Sequence, residues 1–411
     1  MSARRASALD LSRRVRSLQV SPTVSVFQRV RELVARGIPV LDFSVGEPDQ
    51  PTPDHVRRAA ERALEAGRTR YTVALGLPEL RQAVARRYLA DFQVAFAPDE
   101  VAVTSGGKFA LYSVCQVLLD PGDEVLVPHP CWPTFNDAVR LAGGRPVAVP
   151  TSERNGFRIT ARALDRAATR RTRAVVVCSP MNPTGAVVSP RELLGIARLA
   201  ERRPFTLLYD DTYAHLTFGR RDPPPLRRIR ERMADRLVIL GTASKSYCMT
   251  GWRIGWVLGP RALIQACAGL NSHSIQSPAT FAQLGAVAAL SGSQRPRREM
   301  AREYRRRRDR CLRALRRIRR VRCLEPQGGF YLFPNLKAFL THDVPDTATL
   351  AAGLLDQERV AVVPGEGFGA PGHVRISLAR PIPELEEGMR RLGSFLEGLK
   401  GRPERRAASR S

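Results

Sequence analysis

The 411-residue chain carries 66 Lys and Arg against 39 Asp and Glu, a formal net charge of +27, and 43% of its residues are hydrophobic. That length suits two or three domains of about 150 residues each, and no run nears the roughly 18 apolar residues of a membrane-spanning helix. Seven scattered cysteines without a CxxC pair argue against a disulfide-stapled secreted domain, and no His/Cys group has metal-ligand spacing, so no metal is expected and a reducing cytoplasm is the expected compartment.

In chain order, the basic, Ser-rich start has no apolar core of a secretory signal and reads as an exposed arm over residues 1–11. Residues 12–45 are expected to pack with the far end of the chain. Residues 46–290 read as one large unit. Within it VAVT, EVLVP, PVAVP, AVVVCS, TLLYD and LVILGT read as buried strands, and FALYSVCQVLL, FNDAVRLA and ELLGIARLAE as the helices between them. Such alternation predicts an α/β fold with a mainly parallel central sheet sandwiched by helices. Ligands of these sheets sit beyond the carboxyl ends of the strands. After about residue 290 the rhythm changes to GGFYLFP, VAVVPG and HVRISLA and a last helix, which predicts a smaller α+β domain over 291–399. Its first part, from Arg295 to Arg322, is dense in arginine. Met300, Tyr304, Cys311, Leu312, Leu315 and Ile318 make an apolar stripe along it, so it reads as a helix with a solvated face in an arginine-biased chain rather than as a nucleic-acid patch. No aromatic platform accompanies it. The polar tail 400–411 is expected to be disordered.

The chemistry-bearing residues stand just after the strands. After VAVT come Ser105, Gly106, Gly107 and Lys108, then a helical pattern. Two glycines opening a helix let backbone N–H groups approach a phosphate, although a Gly-Gly turn alone is usually only a turn. After AVVVCS a rigid proline turn presents Asn182. After TLLY comes Asp210, an acid suited to a metal, a ribose or a protonated ring nitrogen, with Tyr213 following; the adjacent Asp211 reads as structural. After LVILG come Thr242, Ser244 and Lys245, then Arg253. The chain holds only four lysines, Lys108, Lys245, Lys337 and Lys400. A strand-end lysine is an ordinary surface residue or, if desolvated among cations, a nucleophile toward an aldehyde. Arginine cannot serve there because it stays protonated. Lys245, a Gly106-Gly107 cradle with Thr242, Ser244 and Arg253, the acid Asp210 and the aromatic Trp132 together match what pyridoxal 5′-phosphate (PLP) requires.

With these residues in this order, the chain resembles the class I and II aminotransferases, PLP enzymes of fold type I, from about Leu11 to Leu399. The resemblance is closest to the subgroup of bacterial aspartate and prephenate aminotransferases. It is carried by FSVGEPDQPTPDHV, TRYTVALGLPELRQAV, TSGGKFALYSV, NPTGAVVS, YDDTYAHLTF, SKSYCMTGWRIGW, GGFYLFP and GHVRIS. It implies that Lys245 carries PLP as a Schiff base, that Asp210 pairs with the pyridinium nitrogen, and that Tyr213 and Asn182 bond the ring oxygen while Trp132 stacks on the ring. The phosphate would be held by Gly106, Gly107 and Lys108, by Thr242 or Ser244, and by Arg253. Tyr71 would reach the phosphate of a neighbouring subunit, which implies a homodimer with shared sites. Arg375 would grip the substrate α-carboxylate, and Gly46 would close over the substrate.

The implied activity is ping-pong transamination between an L-amino acid and a 2-oxo acid. Lys108 in the GGK motif points to acidic substrates, aspartate or glutamate with 2-oxoglutarate or oxaloacetate. Three departures from the family pattern, CWPTF around Trp132, Phe109 and Cys248, alter the pocket wall. They leave open an aromatic, neutral or basic substrate of specialised biosynthesis; the N-terminal match to the same subgroup allows prephenate, and the fold alone admits a lyase, cyclase or oxidase outcome.

Overall fold

Buried runs rich in valine, isoleucine and leucine form the central strands. The computed structural model describes residues 12–16, 18, 22–219 and 223–400. The expected arm over 1–11, and all of the tail but Lys400, lie outside them. After a short β1 (Leu41–Asp42) come β2 (Val101–Thr104), β3 (Glu124–His129), β4 (Arg145–Pro150), β5 (Thr172–Cys178), β6 (Thr206–Asp210), β7 (Leu237–Thr242) and β8 (Gly255–Leu258). Strands β2 to β8 make one seven-stranded sheet in the order β2-β8-β7-β6-β5-β3-β4. The pairs from β7 across to β4 are parallel, and β8 runs antiparallel to both its neighbours. The six strands read from sequence are all present. The run Gly255–Leu258 lies directly behind a motif segment, where it does not read as a separate strand.

Successive residues of a strand point to opposite faces, and both faces here are covered. Ala174, Val176, Cys178 and Leu208 face one core. Val175, Val177, Leu207 and Tyr209 face the other. Each valine and leucine among them contributes about 1.5–3 kcal/mol by leaving water. This two-sided burial explains why the strands read as continuous apolar runs rather than as alternating ones.

The C-terminal part adds β9 (Tyr331–Leu332), β10 (Val360–Ala361), β11 (Val363–Pro364) and β12 (Val374–Ser377). Strands β11, β12 and β9 form an antiparallel sheet, while β10 pairs in parallel with β1 from the other end of the chain. Val30 and Leu33 pack with Leu355 and Ala361.

The arginine-rich helix spans Arg295–Arg317 and buries Met300, Tyr304, Cys311, Leu312 and Leu315. It stops short of Arg322 because Ile318 turns extended and Arg320 takes a left-handed φ of 72°. Not all of its arginines are solvated: Arg307 and Arg308 are buried. Among the described residues no helix is long and apolar enough to cross a membrane. No His/Cys/Asp/Glu group there could hold a metal, and all seven cysteines are free thiols.

Candidate active site

The parallel strands end along one edge of the sheet, and the turns leaving them converge there. β2 runs into Ser105 and the helix Gly106–Leu118. β5 leads to Asn182, β6 ends on Asp210 and β7 on Thr242, three residues before Lys245. Because β8 returns antiparallel, its first residue sits at this same edge, which brings Arg253 beside Gly106.

Lys245 Nζ donates to the Gly46 carbonyl oxygen. Its pKa is lowered to about 8, first by burial and then by the charges of Arg375, Arg253 and Lys108, against the opposing pull of Glu47. Desolvation and cationic neighbours both favour the neutral amine, which is the nucleophilic form. Asp210 is buried, and its Oδ1 accepts the Thr212 backbone N–H at 2.9 Å. Burial pushes its carboxyl up despite the Thr212 hydrogen bonds. Among the described residues no cation pairs with it. A buried carboxylate in that state gains strongly from a cationic partner.

The turn at Gly106 is built for close approach. Gly106 has φ +80°, and a Cβ there would overlap the Arg253 guanidinium. Arg253 donates through Nη1 to Thr250 O at 2.9 Å and through Nη2 to Ser105 O at 3.3 Å. Ser105 makes no side-chain cap, so the first N–H groups of the helix face this turn with the dipole's positive end. Gly107 lies against Thr242, where an added Cβ would stand 3.2 Å from the Thr242 Cβ. The Thr242 hydroxyl is committed within its own turn, 2.9 Å from Ser244 Oγ and 3.0 Å from Ile254 O. Of the two hydroxyls, Ser244 is therefore the better placed for an outside anion. Lys108, exposed at the rim, holds its Nζ 5.4 Å from the centre of the Trp132 ring. Partial burial first, and then Arg253, lower its pKa.

Arg375 is buried on β12. Nη1 donates to Asn182 Oδ1 at 3.3 Å and Nη2 to the Ser44 carbonyl at 2.8 Å, while Nε is buried without a partner. A buried, unpartnered donor on a guanidinium fits a carboxylate ligand. The Tyr213 hydroxyl lies 3.2 Å from that of Tyr331. A Cβ on Gly46 would come within 3.0 Å of the Tyr331 hydroxyl. A cleft of about 850 Å³ opens beside the cluster, lined by Glu47, Thr52, Ser105, Cys248, Trp252 and Arg253 among others.

The residues proposed from sequence thus surround one edge of the sheet, with one exception. Tyr71 is 91% exposed within a single chain. Sequence reasoning passed over Tyr331, although it lies in the quoted GGFYLFP segment. The tyrosine touches both Tyr213 and Arg375, whose guanidinium sits 4.5 Å from its ring centre. Asp211 is used structurally, as expected: its carboxylate accepts the Tyr88 hydroxyl, and burial raises its pKa to about 8.

The acid, the amine, the anion cradle and the carboxylate-type guanidinium match the groups that PLP and an amino acid present. The sequence model of the family described as aminotransferase class I and II matches residues 38–392. An aspartate aminotransferase of Bacillus subtilis is 38% identical over 390 residues, covering 95% of this chain and 99% of its own. An aspartate/prephenate aminotransferase of Thermus thermophilus is 41% identical, covering 94% and 98%. A solved structure of aspartate aminotransferase from Thermus thermophilus with maleate superposes with a TM-score of 0.89 at 40% identity, covering 94% of this chain and all of that one.

Proposed function

The chain belongs to the class I and II aminotransferases, and from that premise we propose that it transfers the amino group of an acidic L-amino acid, aspartate or glutamate, to 2-oxoglutarate or oxaloacetate. Its cofactor is PLP, as in that family. The observation that carries the site assignment is Lys245, three residues beyond β7 and hydrogen-bonded to the Gly46 carbonyl, its pKa lowered by burial and by the charges of Arg375, Arg253 and Lys108.

When bound, PLP supplies an electron-withdrawing ring conjugated to the substrate nitrogen. The chain's residues do the rest. Gly106, Gly107, Ser244 and Arg253 bind the phosphate, with Thr242 bracing Ser244 and Lys108 adding charge at the same turn. Asp210 pairs with the ring nitrogen and keeps it protonated. Tyr213 and Asn182 bond the ring oxygen, and Trp132 covers a ring face. Arg375 and Gly46 orient the substrate so that its Cα–H faces Lys245. The Lys245 amine, freed when the substrate nitrogen takes its place, would take that proton from Cα and return it to the carbon on the far side of the substrate nitrogen, as a general base and then acid within reach. The pair of relatives named for aspartate makes Lys108 the reading for a distal carboxylate. The Thermus name adds prephenate as an acceptor to test. We place the enzyme in the cytoplasm as a homodimer in which Tyr71 of each subunit completes the other's site.

The test is to load the purified protein with PLP and screen amino donors for bleaching of the cofactor's visible band. Aspartate and glutamate should bleach it fastest. Lys108→Ala should slow them about 10–100-fold relative to alanine, the size of a hydrogen bond to a charged group. An equal loss across all donors would remove Lys108 from the distal-carboxylate role.

A further inference from the structure

The segment following β1, from Phe43 to Thr52, has no regular secondary structure, yet it is tied down along its length. Phe43 O accepts the Ser377 N–H at 2.8 Å. Ser44 O accepts from Arg375, and Gly46 O from Lys245. Glu47 accepts from the Thr250 hydroxyl at 2.8 Å. Thr52 Oγ1 accepts from Trp252 Nε1 at 3.0 Å. The segment is a strap lying between the Lys245 turn and the Arg375 strand.

One guanidinium joins the strap to that strand. Arg307, on the arginine-rich helix, donates through Nη1 to Asp49 Oδ1 at 2.8 Å and through Nη2 to Oδ2 at 2.9 Å. The same Nη1 donates to Leu378 O at 3.1 Å, three residues beyond Arg375, and Nε donates to Glu303 at 2.9 Å. The Arg307 side chain is 8% exposed and that of Asp49 23%. An exposed ion pair of flexible side chains would hold little. A bidentate and largely buried one fixes a geometry. Asp49 Oδ1 also accepts from the Tyr304 hydroxyl at 3.1 Å. The Tyr304 ring stacks 5.2 Å from Phe330, which lies 4.6 Å from Tyr331, the residue under Arg375.

We propose that Arg307 and Asp49 are a positioning pair for substrate recognition, locking the strap to β12 so that Gly46 and Arg375 keep the spacing that receives an α-carboxylate. This rests on the reading of Arg375 as the carboxylate site. The pair touches neither the phosphate cradle nor Asp210 and reaches Lys245 through the Gly46 carbonyl, so its loss acts on substrates far more than on the cofactor.

The test uses the PLP-loaded enzyme and two reagents. L-alanine carries an α-carboxylate. Methoxyamine attacks the lysine-bound cofactor and has none. Asp49→Asn keeps the shape and removes the charge, and Arg307→Lys keeps the charge and removes the fork. Each should slow bleaching by L-alanine roughly 10–100-fold, the cost of a small misplacement, and leave methoxyamine within about twofold of the parent rate. In the cofactor-free protein, hydrogen exchange at the Ser44 and Ser377 amides should quicken, with the Val114 and Cys115 amides of the helix behind the phosphate turn unchanged. Equal slowing with both reagents, or no slowing with alanine, overturns the proposal. So does unchanged exchange at Ser44 and Ser377. Arg375→Lys is measured alongside. If it too fails to separate the two reagents, the carboxylate-site reading falls and takes the pair with it. If it separates them while the pair's variants do not, only the positioning role is lost.

Discussion

At the scale of single residues, the proposed chemistry needs the neutral form of one amine, and the surroundings of Lys245 bring that form within reach of mildly alkaline pH. Lysine amines ordinarily titrate near pH ~10.4, whereas burial and the charges of Arg375, Arg253 and Lys108 lower that of Lys245 to about 8. Below its pKa the amine is protonated and cannot attack an aldehyde; above it the free base dominates. The rate at which cofactor-free protein captures PLP should therefore climb with pH and level off just above pH 8. It would be read from growth of the visible band after mixing, over a series of buffers. A rate still climbing at pH ~10 would mean an unperturbed lysine. Neutralising the neighbours should move the plateau to higher pH, since each positive charge removed eases protonation. This residue was legible in sequence because arginine, the default base in this chain at 62 of 66 basic positions (66 − 4 lysines), cannot perform its task. Tyr331 and Asp49 were not legible in the same way. Tyrosine in an apolar strand reads as core, and an acid in a proline-rich turn reads as surface, until the fold brings Arg375 and Arg307 against them.

At the scale of elements, the site exists because the turns after β2, β3, β5, β6 and β7 leave one sheet edge together. The sequence shows this wherever a strand is buried on both faces, since the apolar run then announces both the strand and the turn after it. It does not show β8, whose reversal carries Arg253 back to Gly106, because strand direction is a property of pairing and not of the run itself. That reversal leads to a sharp expectation about glycine. Gly106 and Gly122 both adopt positive φ, +80° and +95°, so alanine strains the backbone at either. Only at Gly106 would the new methyl meet the Arg253 guanidinium, while around Gly122 nothing lies within 4 Å. Gly106→Ala should therefore weaken PLP binding by about tenfold or more, a loss of ~1.4 kcal/mol or greater. Gly122→Ala should leave it unchanged while costing stability of similar size. Titration of both cofactor-free variants with PLP, with thermal melts beside them, separates the two effects. Equal PLP affinity in the pair would mean that the Gly106 turn does not cradle the phosphate. The arginine-rich helix carries the opposite lesson. Its apolar stripe was visible as a helical period, but the burial of Arg307 depends on Asp49, which lies more than 250 residues away in the chain.

At the scale of the molecule, Tyr71 offers the test of the proposed homodimer. Tyr71 is 91% exposed within one chain, with Val73 beside it 58% exposed, and most soluble oligomers are symmetric pairs in which each subunit presents the same patch to the other. If Tyr71 completes the site of its neighbour, each site draws Lys245 from one chain and Tyr71 from the other. Tyr71→Ala and Lys245→Ala proteins should then both be nearly inactive alone. Mixed under conditions that let subunits exchange, they form hybrids with one site carrying both substitutions and one carrying neither. Random pairing puts about half the dimers in that class, so activity should return to roughly a quarter of the parent's. The restored fraction should also show the parent's KM, because the repaired site is chemically whole. Were Tyr71 to act within its own chain, every hybrid site would keep one substitution and no activity would return. Restored activity thus marks a site shared between subunits, no restoration marks a site built within one chain, and a Tyr71→Ala protein fully active alone marks a tyrosine outside the site.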